Sequence, residues 1–158
     1  MTAPSISVTL PFSPYRVPVG ARGRDTVNLT PNARSGSFGM PRWWYARQQE
    51  ARGIMRDAAF AGARSLSHEA AQAVQAWAKK DPEEMGVRID IVLRSPRRVK
   101  RDRDNVIAGL KWAFDGLAQG TGVDDSVFHL GEVSFEKGAE ETVLILRQWR
   151  KIADNKGG

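Results

Sequence analysis

Between Ser5 and Phe12 the chain alternates Ile6, Val8 and Leu10 with polar neighbours, which predicts a half-buried strand closed by Pro11 and Pro14. The alternation then stops. Residues 13–41 carry Pro14, Pro18, Pro31 and Pro41 among Gly20, Gly23, Gly36 and Gly39, with Arg16, Arg22, Arg24, Arg34 and Arg42 interspersed. That pattern predicts a long irregular segment, and such segments in small domains are usually functional or disordered. The expectation is a mobile basic loop that orders on nucleic acid, with Arg34 among its DNA contacts.

From residue 42 the apolar period becomes helical. Trp44, Ala51, Met55, Ala58 and Ala59 form a stripe over 42–63, and Leu66, Ala70, Val74 and Trp77 form another over 66–79. Lys79-Lys80-Asp81-Pro82 ends the second helix. After Gly86, Val87, Ile89, Ile91 and Leu93 alternate in a strong strand over 87–93. A basic loop at 94–103, a helix at 104–118 and turn residues Gly120-Thr121-Gly122 follow. Two further strands, at 127–136 and 141–149, are joined by a hairpin signal at Lys137-Gly138. These elements predict an α+β single domain over 1–152, with a small mixed sheet of about four strands and helices packed on it. Residues 153–158 read as a flexible tail.

Composition narrows the function more than the fold. The chain has 158 residues, 41% hydrophobic and 27% charged, the profile of an ordinary globule able to bury a core. Cysteine is absent, which excludes thiolate metal sites, disulfides and a cysteine nucleophile and suits a reducing cytoplasm. No secretory signal is visible at the start, and no apolar run approaches the roughly 18 residues of a membrane span. Net charge is +6, unevenly spread: residues 1–100 hold 16 Lys/Arg against 8 Asp/Glu, and residues 101–158 hold 8 against 10. A basic body with a locally acidic segment points to a phosphate-binding surface bearing a metal-binding notch.

The acidic segment has a definite layout. Asp102 and Asp104 flank Arg103 where a strand gives way to a helix, and extended backbone would turn both carboxylates to one side. Asp104 or Asn105 is expected to cap the helix. Lys111 and Asp115 follow Asp104 at +7 and +11, which on a straight helix keeps them near its face. Asp124 and Asp125 come after the turn, where a strand beside 87–93 could bring them level with Asp102 and Asp104. Converging carboxylates without cysteine favour magnesium, with manganese as a substitute, and suit hydrolysis of a phosphodiester. Lys111 would neutralise charge on the phosphoryl oxygens. Arg94, Arg97, Arg98, Lys100, Arg101 and Arg103 would grip flanking phosphates. Each piece alone has a plainer reading as a cap, a solvated acid pair or an exposed loop; their conjunction in one short segment points to a site. His68 and His129 are isolated and read as surface or packing residues.

The string Arg101-Asp102-Arg103-Asp104-Asn105, then Lys111-x-x-x-Asp115-Gly116-Leu117, then Val123-Asp124-Asp125-Ser126, resembles the RusA family of Holliday-junction resolvases, common in phages and prophages. The likeness is densest over 88–128 and extends more weakly to the opening strand; Asn32-Ala33-Arg34 is similar to the family's N-terminal asparagine loop. The resemblance implies a RusA-like homodimer that resolves four-way DNA junctions by paired symmetric nicks using magnesium, inside a bacterial or phage-infected cell. It implies that Asp102, Asp104 and Asp125 bind metal, with Asp124 as companion acid, Lys111 as catalytic lysine, and Asn105 and Asp115 as support. One departure is visible: Ala108 stands where the best-known member has its lysine, and Lys111 comes three residues later, about 4.5 Å further along a helix. The alternatives are a non-cleaving DNA-binding protein of the same fold, and an enzyme acting on nucleotides or RNA.

Overall fold

A computed structural model describes residues 5–31, 39–78, 81, 83–97 and 100–151. Strand β1 (Ile6–Leu10) follows the expected alternation, with Val8 and Leu10 buried and Ser7 and Thr9 exposed. Helix α1 (Arg42–Arg64) turns Ala51, Met55, Ala59 and Ala63 inward at i, i+4 spacing, and α2 (His68–Ala78) buries Val74 and Trp77. Ser67 caps α2, its Oγ accepting from the Ala70 N–H at 3.1 Å. Strand β4 (Met85–Ser95) is one of the two inner strands of a four-stranded sheet. It presents Val87, Ile89, Ile91 and Leu93 to a core shared with Met55, Val106, Leu110, Leu117, Leu144 and Leu146. Among the described residues no helix is long and apolar enough to cross a membrane.

The described part of 13–41, residues 13–31 above all, departs from expectation. Instead of one irregular loop, it forms a two-stranded antiparallel hairpin, β2 (Val17–Val19) and β3 (Asp25–Val27), around a 3-10 turn at Ala21–Gly23. Val17, Val19, Val27 and Leu29 are buried in the core. Gly20 and Gly23 supply the turn between very short strands, Pro18 sits within β2, and the strands are too short for their alternation to stand out. Residues 32–38, including Asn32 and Arg34, lie outside the described residues, as do Arg98 and the expected tail at 153–158.

The expected helix at 104–118 is two helices, α3 (Arg103–Gly109) and α4 (Lys111–Thr121), broken at Leu110, whose φ of −97° and ψ of 6° leave the helical range. Gly109 abuts Pro14 and Thr30 so closely that a Cβ would lie 3.0 Å from each. Helix α3 is thereby tied to the segment entering the hairpin, while α4 follows α1, and Leu110 fills the core at the joint. Gly122, at φ 73°, closes α4 in the left-handed conformation that glycine adopts freely.

Strands β5 (Phe128–Lys137) and β6 (Glu141–Arg150) occur where expected but do not form a hairpin. The sheet order is β1-β6-β4-β5: β6 pairs antiparallel with β4 and β1, and β5 pairs parallel with β4 on its other side. The turn at Lys137-Gly138 therefore carries the chain over the end of β4, where the Gly138 N–H donates to the Ser95 carbonyl at 2.9 Å. A turn signal fixes that the chain reverses, not which strand it returns beside. The result is a mixed sheet with α1 and α4 on the face lined by Val87, Ile89 and Ile91.

On the opposite face β5 bulges at Gly131-Glu132, opposite Asp90. Asp90 is 7% exposed and fully engaged. Its Oδ1 accepts from the Glu132 N–H at 2.8 Å and Arg88 Nε at 3.0 Å, and its Oδ2 accepts from Arg147 Nη1 at 3.0 Å. One buried carboxylate thus satisfies the bulge's spare N–H and two arginines, and a side chain at Gly131 would collide with it.

Candidate metal and nucleic-acid site

The Asp-Arg-Asp-Asn string is built by helix-start chemistry. Asp102 has extended backbone (φ −66°, ψ 127°) and is itself the N-cap, its Oδ2 accepting from the Asn105 N–H at 3.3 Å. The helix starts one residue earlier than expected, so Asp104 falls in the first turn rather than at the cap. The two carboxylates therefore do not share a face by strand alternation. Asp104 is 89% exposed, with Arg103 Nη1 3.5 Å away as its contact. Asn105 is buried and donates through Nδ2 to the Tyr15 hydroxyl at 3.2 Å, while the Arg101 guanidinium lies 4.5 Å over the Tyr15 ring. Helix α3 is anchored to the N-terminal segment by this Tyr15 contact, which fixes where Asp102 sits. Replacing Asp102 by alanine is expected to cost about 1 kcal/mol of stability, and by asparagine almost nothing, in urea denaturation.

Beside this helix start, at the C-terminal end of β4, lies a cleft of about 400 Å³. Its floor includes Leu93 and Phe135, and its walls include Tyr15, Pro96, Arg97 and Arg101. The expected basic residues divide by what they touch. Arg97, Lys100 and Arg101 are exposed at or near the cleft. Arg103 donates to the Gly131 carbonyl at 2.9 Å. Arg94 is committed to Glu141 at 2.7 Å and Glu136 at 2.9 Å, and these carboxylates, Glu141 foremost, raise its pKa. Arg94 thus braces the ends of β4, β5 and β6, and its charge is already matched.

Asp124 caps the 3-10 turn Asp125–Val127, accepting from the Ser126 N–H at 2.9 Å. That N–H, then the Ser126 hydroxyl and Asp125, hold the Asp124 carboxyl below its usual range. The turn leads into β5, where Phe128 stands opposite Val87, so Asp124 and Asp125 lie by the N-terminal end of β4. The chain leaves β4 at Ser95, the other end, before reaching Asp102. Lys111 is exposed at the first position of α4, and Asp115 is half-buried one turn on. The break at Leu110 means that Lys111 and Asp104 are not related by straight-helix geometry.

Among the described residues, no group of three or more His, Cys, Asp or Glu side chains is gathered closely enough to hold a metal ion. The four aspartates are thus not one preassembled cage. Their donor chemistry still fits magnesium, which commonly takes one or two carboxylates and completes its shell with water and substrate phosphate. Asp102 and Asp104, both exposed, suit that mode.

Sequence reasoning missed Asp90, Tyr15 and Gln48. A lone carboxylate on the second face of an apolar strand was the available signal for Asp90; Tyr15 gains its partner Asn105, and Gln48 its burial, only through the fold. His129 stacks on Trp149 with ring centroids 3.6 Å apart, a packing role. In comparisons with known proteins, no family model matches this chain and no curated protein matches it.

Proposed function

We propose that this chain is a magnesium-dependent endodeoxyribonuclease that cuts branched DNA, four-way junctions in particular, by paired symmetric nicks as a homodimer. The observation that carries the reading is Asp104. It is an 89% exposed carboxylate on a helix start, next to the capping Asp102 and directly after a run with exposed Arg97, Lys100 and Arg101, cations that would otherwise serve only to attract anions. A carboxylate facing a polyanion weakens binding unless it holds a cation against the phosphate. Asp102 and Asp104 would hold magnesium, which supplies activation of the attacking water and stabilisation of the leaving oxygen. The chain's own cations do the rest: Arg97, Lys100 and Arg101 clasp flanking phosphates, and Lys111 offsets charge on the phosphoryl oxygens. Asp124 and Asp125, by the N-terminal end of β4, stand apart from this pair, so the reading rests the metal on Asp102 and Asp104, with Asp115 in support. Two-fold pairing of subunits matches the symmetry of paired cuts.

A second reading, a DNA-binding protein that does not cut, draws on the capping roles of Asp102 and Asp124, which give each a structural use of its own. A labelled four-way junction incubated with and without magnesium separates the two. Symmetric nicks that appear only with the metal are expected. Binding without nicking across magnesium and manganese titrations would instead establish the second reading and exclude the first.

A further inference from the structure

The hairpin β2–β3 and the first turns of α1 enclose a second cavity, of about 570 Å³, remote in sequence from the aspartates. That volume lies within the roughly 300–1,000 Å³ typical of small-ligand sites. Trp43 and Trp44 form one side, Arg24 and Arg47 border it, and Gln48 and Asn28 also line it. We propose that this cavity binds one unstacked nucleotide, base against the indoles and phosphate on the arginines.

Three independent features converge on that chemistry. Trp43 is 64% exposed, unusual for the most costly side chain to leave in water, and an open indole beside cations is a stacking platform for a base. Arg47 is held in place from one side only. Its Nη1 contacts Glu50 at 3.1 Å, and Glu50 is itself pinned by the Gly20 N–H at 2.6 Å, whereas among the described residues Nη2 has only the Asp25 carboxylate at 3.9 Å. A phosphate can therefore take the second guanidinium nitrogen without breaking the first contact. Arg24 is exposed and makes no ion pair among the described residues, which adds a second cation for the same anion.

Gln48 supplies the third feature. It is 6% exposed, lines the cavity, and its Oε1 is enclosed without a hydrogen-bond partner among the described residues. A buried unpaired carbonyl oxygen is costly, and the amide torsion of glutamine is soft enough to swing that oxygen toward the cavity. Every DNA base carries an N–H donor on its pairing edge, so any base presented edge-on can satisfy Gln48 once it is out of a duplex. In a duplex the pairing-edge hydrogens are used and the ring faces are stacked on neighbouring pairs, so only an unpaired base can offer that edge to Gln48 and a face to the indoles together. The site therefore selects for an unpaired nucleotide and tolerates all four bases.

That the nucleotide belongs to a DNA strand rests on the function proposed above; the stacking and phosphate chemistry do not. The test uses the full chain in EDTA, where no cleavage can occur, with a single-stranded tetranucleotide carrying one 2-aminopurine. Binding is expected to quench the 2-aminopurine emission. Trp43→Ala should abolish the quench and weaken binding about tenfold, and Arg24→Gln should reduce the salt dependence of binding by about one unit of slope. Both side chains are exposed, and an unchanged thermal midpoint confirms that the variants fold. Quenching and affinity that survive Trp43→Ala overturn the proposal. Free thymidine monophosphate bound as tightly as the oligonucleotide overturns the strand as its source. A wild-type quench in a protein that never nicks a junction overturns the nuclease reading alone.

Discussion

Replacing Asp104 by asparagine is expected to lower the rate of junction cleavage by about two to three orders of magnitude, the size of losing one group that stabilises charge at a phosphoryl centre. The same change should leave junction affinity unchanged or raised, because it removes a negative charge from the surface proposed to meet phosphate. Fold stability should fall by no more than about 1 kcal/mol, the worth of an acid in the first turn of a helix. Asp104 is 89% exposed and its contact with Arg103 is long, at 3.5 Å, so packing has little to lose. The split between cleavage and binding is the diagnostic readout, since a merely structural aspartate would move stability first and both activities together. Asp102→Asn sharpens the comparison: asparagine caps a helix as well as aspartate does, so α3 stays formed while one negative ligand is lost. Wild-type cleavage rates in both variants, measured on labelled four-way junctions at saturating magnesium, would sink the site assignment.

The parts of this molecule that could be read from the chain are those whose signal is local. Ile6, Val8 and Leu10 alternate because β1 has one wet face, and Ala51, Met55 and Ala59 recur at helical spacing because α1 lies on the sheet. The place of β6 could not be read that way. Lys137-Gly138 announces a reversal, but the choice between pairing with β5 and crossing β4 is made by distant strands, and β4's buried residues on both faces were the only hint that it is central. The hairpin at 17–27 was hidden because strands of three residues leave no alternation to count. The same division runs through the site. Asp102, Asp104 and Asn105 are legible as a helix start since caps have a local grammar, though the cap is Asp102 and neither Asp104 nor Asn105. Whether Asp124 and Asp125 join them depends on how α3, α4 and β5 are laid against β4, and no spacing along the chain encodes that.

Helix α4, which carries Lys111 and Asp115 and delivers the chain to Asp124, is held against α1 by glycines, and this contact sets the second large expected effect. A Cβ on Gly116 would lie 2.2 Å from the Arg56 carbonyl oxygen and 3.0 Å from the Ala59 Cβ; one on Gly120 would lie 2.6 Å from the Ala63 Cβ. Helix propensity alone says that Gly116→Ala should stabilise the protein by about 1 kcal/mol, since alanine is the better helix former. The contact decides otherwise. The atom in the way is backbone, so relief requires moving α4 off α1, and overpacking of that kind costs roughly 1–3 kcal/mol or more before the displaced core is counted. The expected net result is a loss of about 2 kcal/mol and a fall in Tm of about 4–8 °C for a chain of this size. Gly53→Ala in α1 is the internal control. Its Cβ would meet only an Arg56 side-chain nitrogen at 4.0 Å, so it should show the propensity gain unopposed, at about 0.5–1 kcal/mol. Opposite signs for two glycine-to-alanine changes within helices, measured by thermal and urea denaturation, are what the close helix crossing requires. A stabilising Gly116→Ala would mean that α4 does not approach α1 so closely, and the placement of every site residue downstream of it would have to be redrawn.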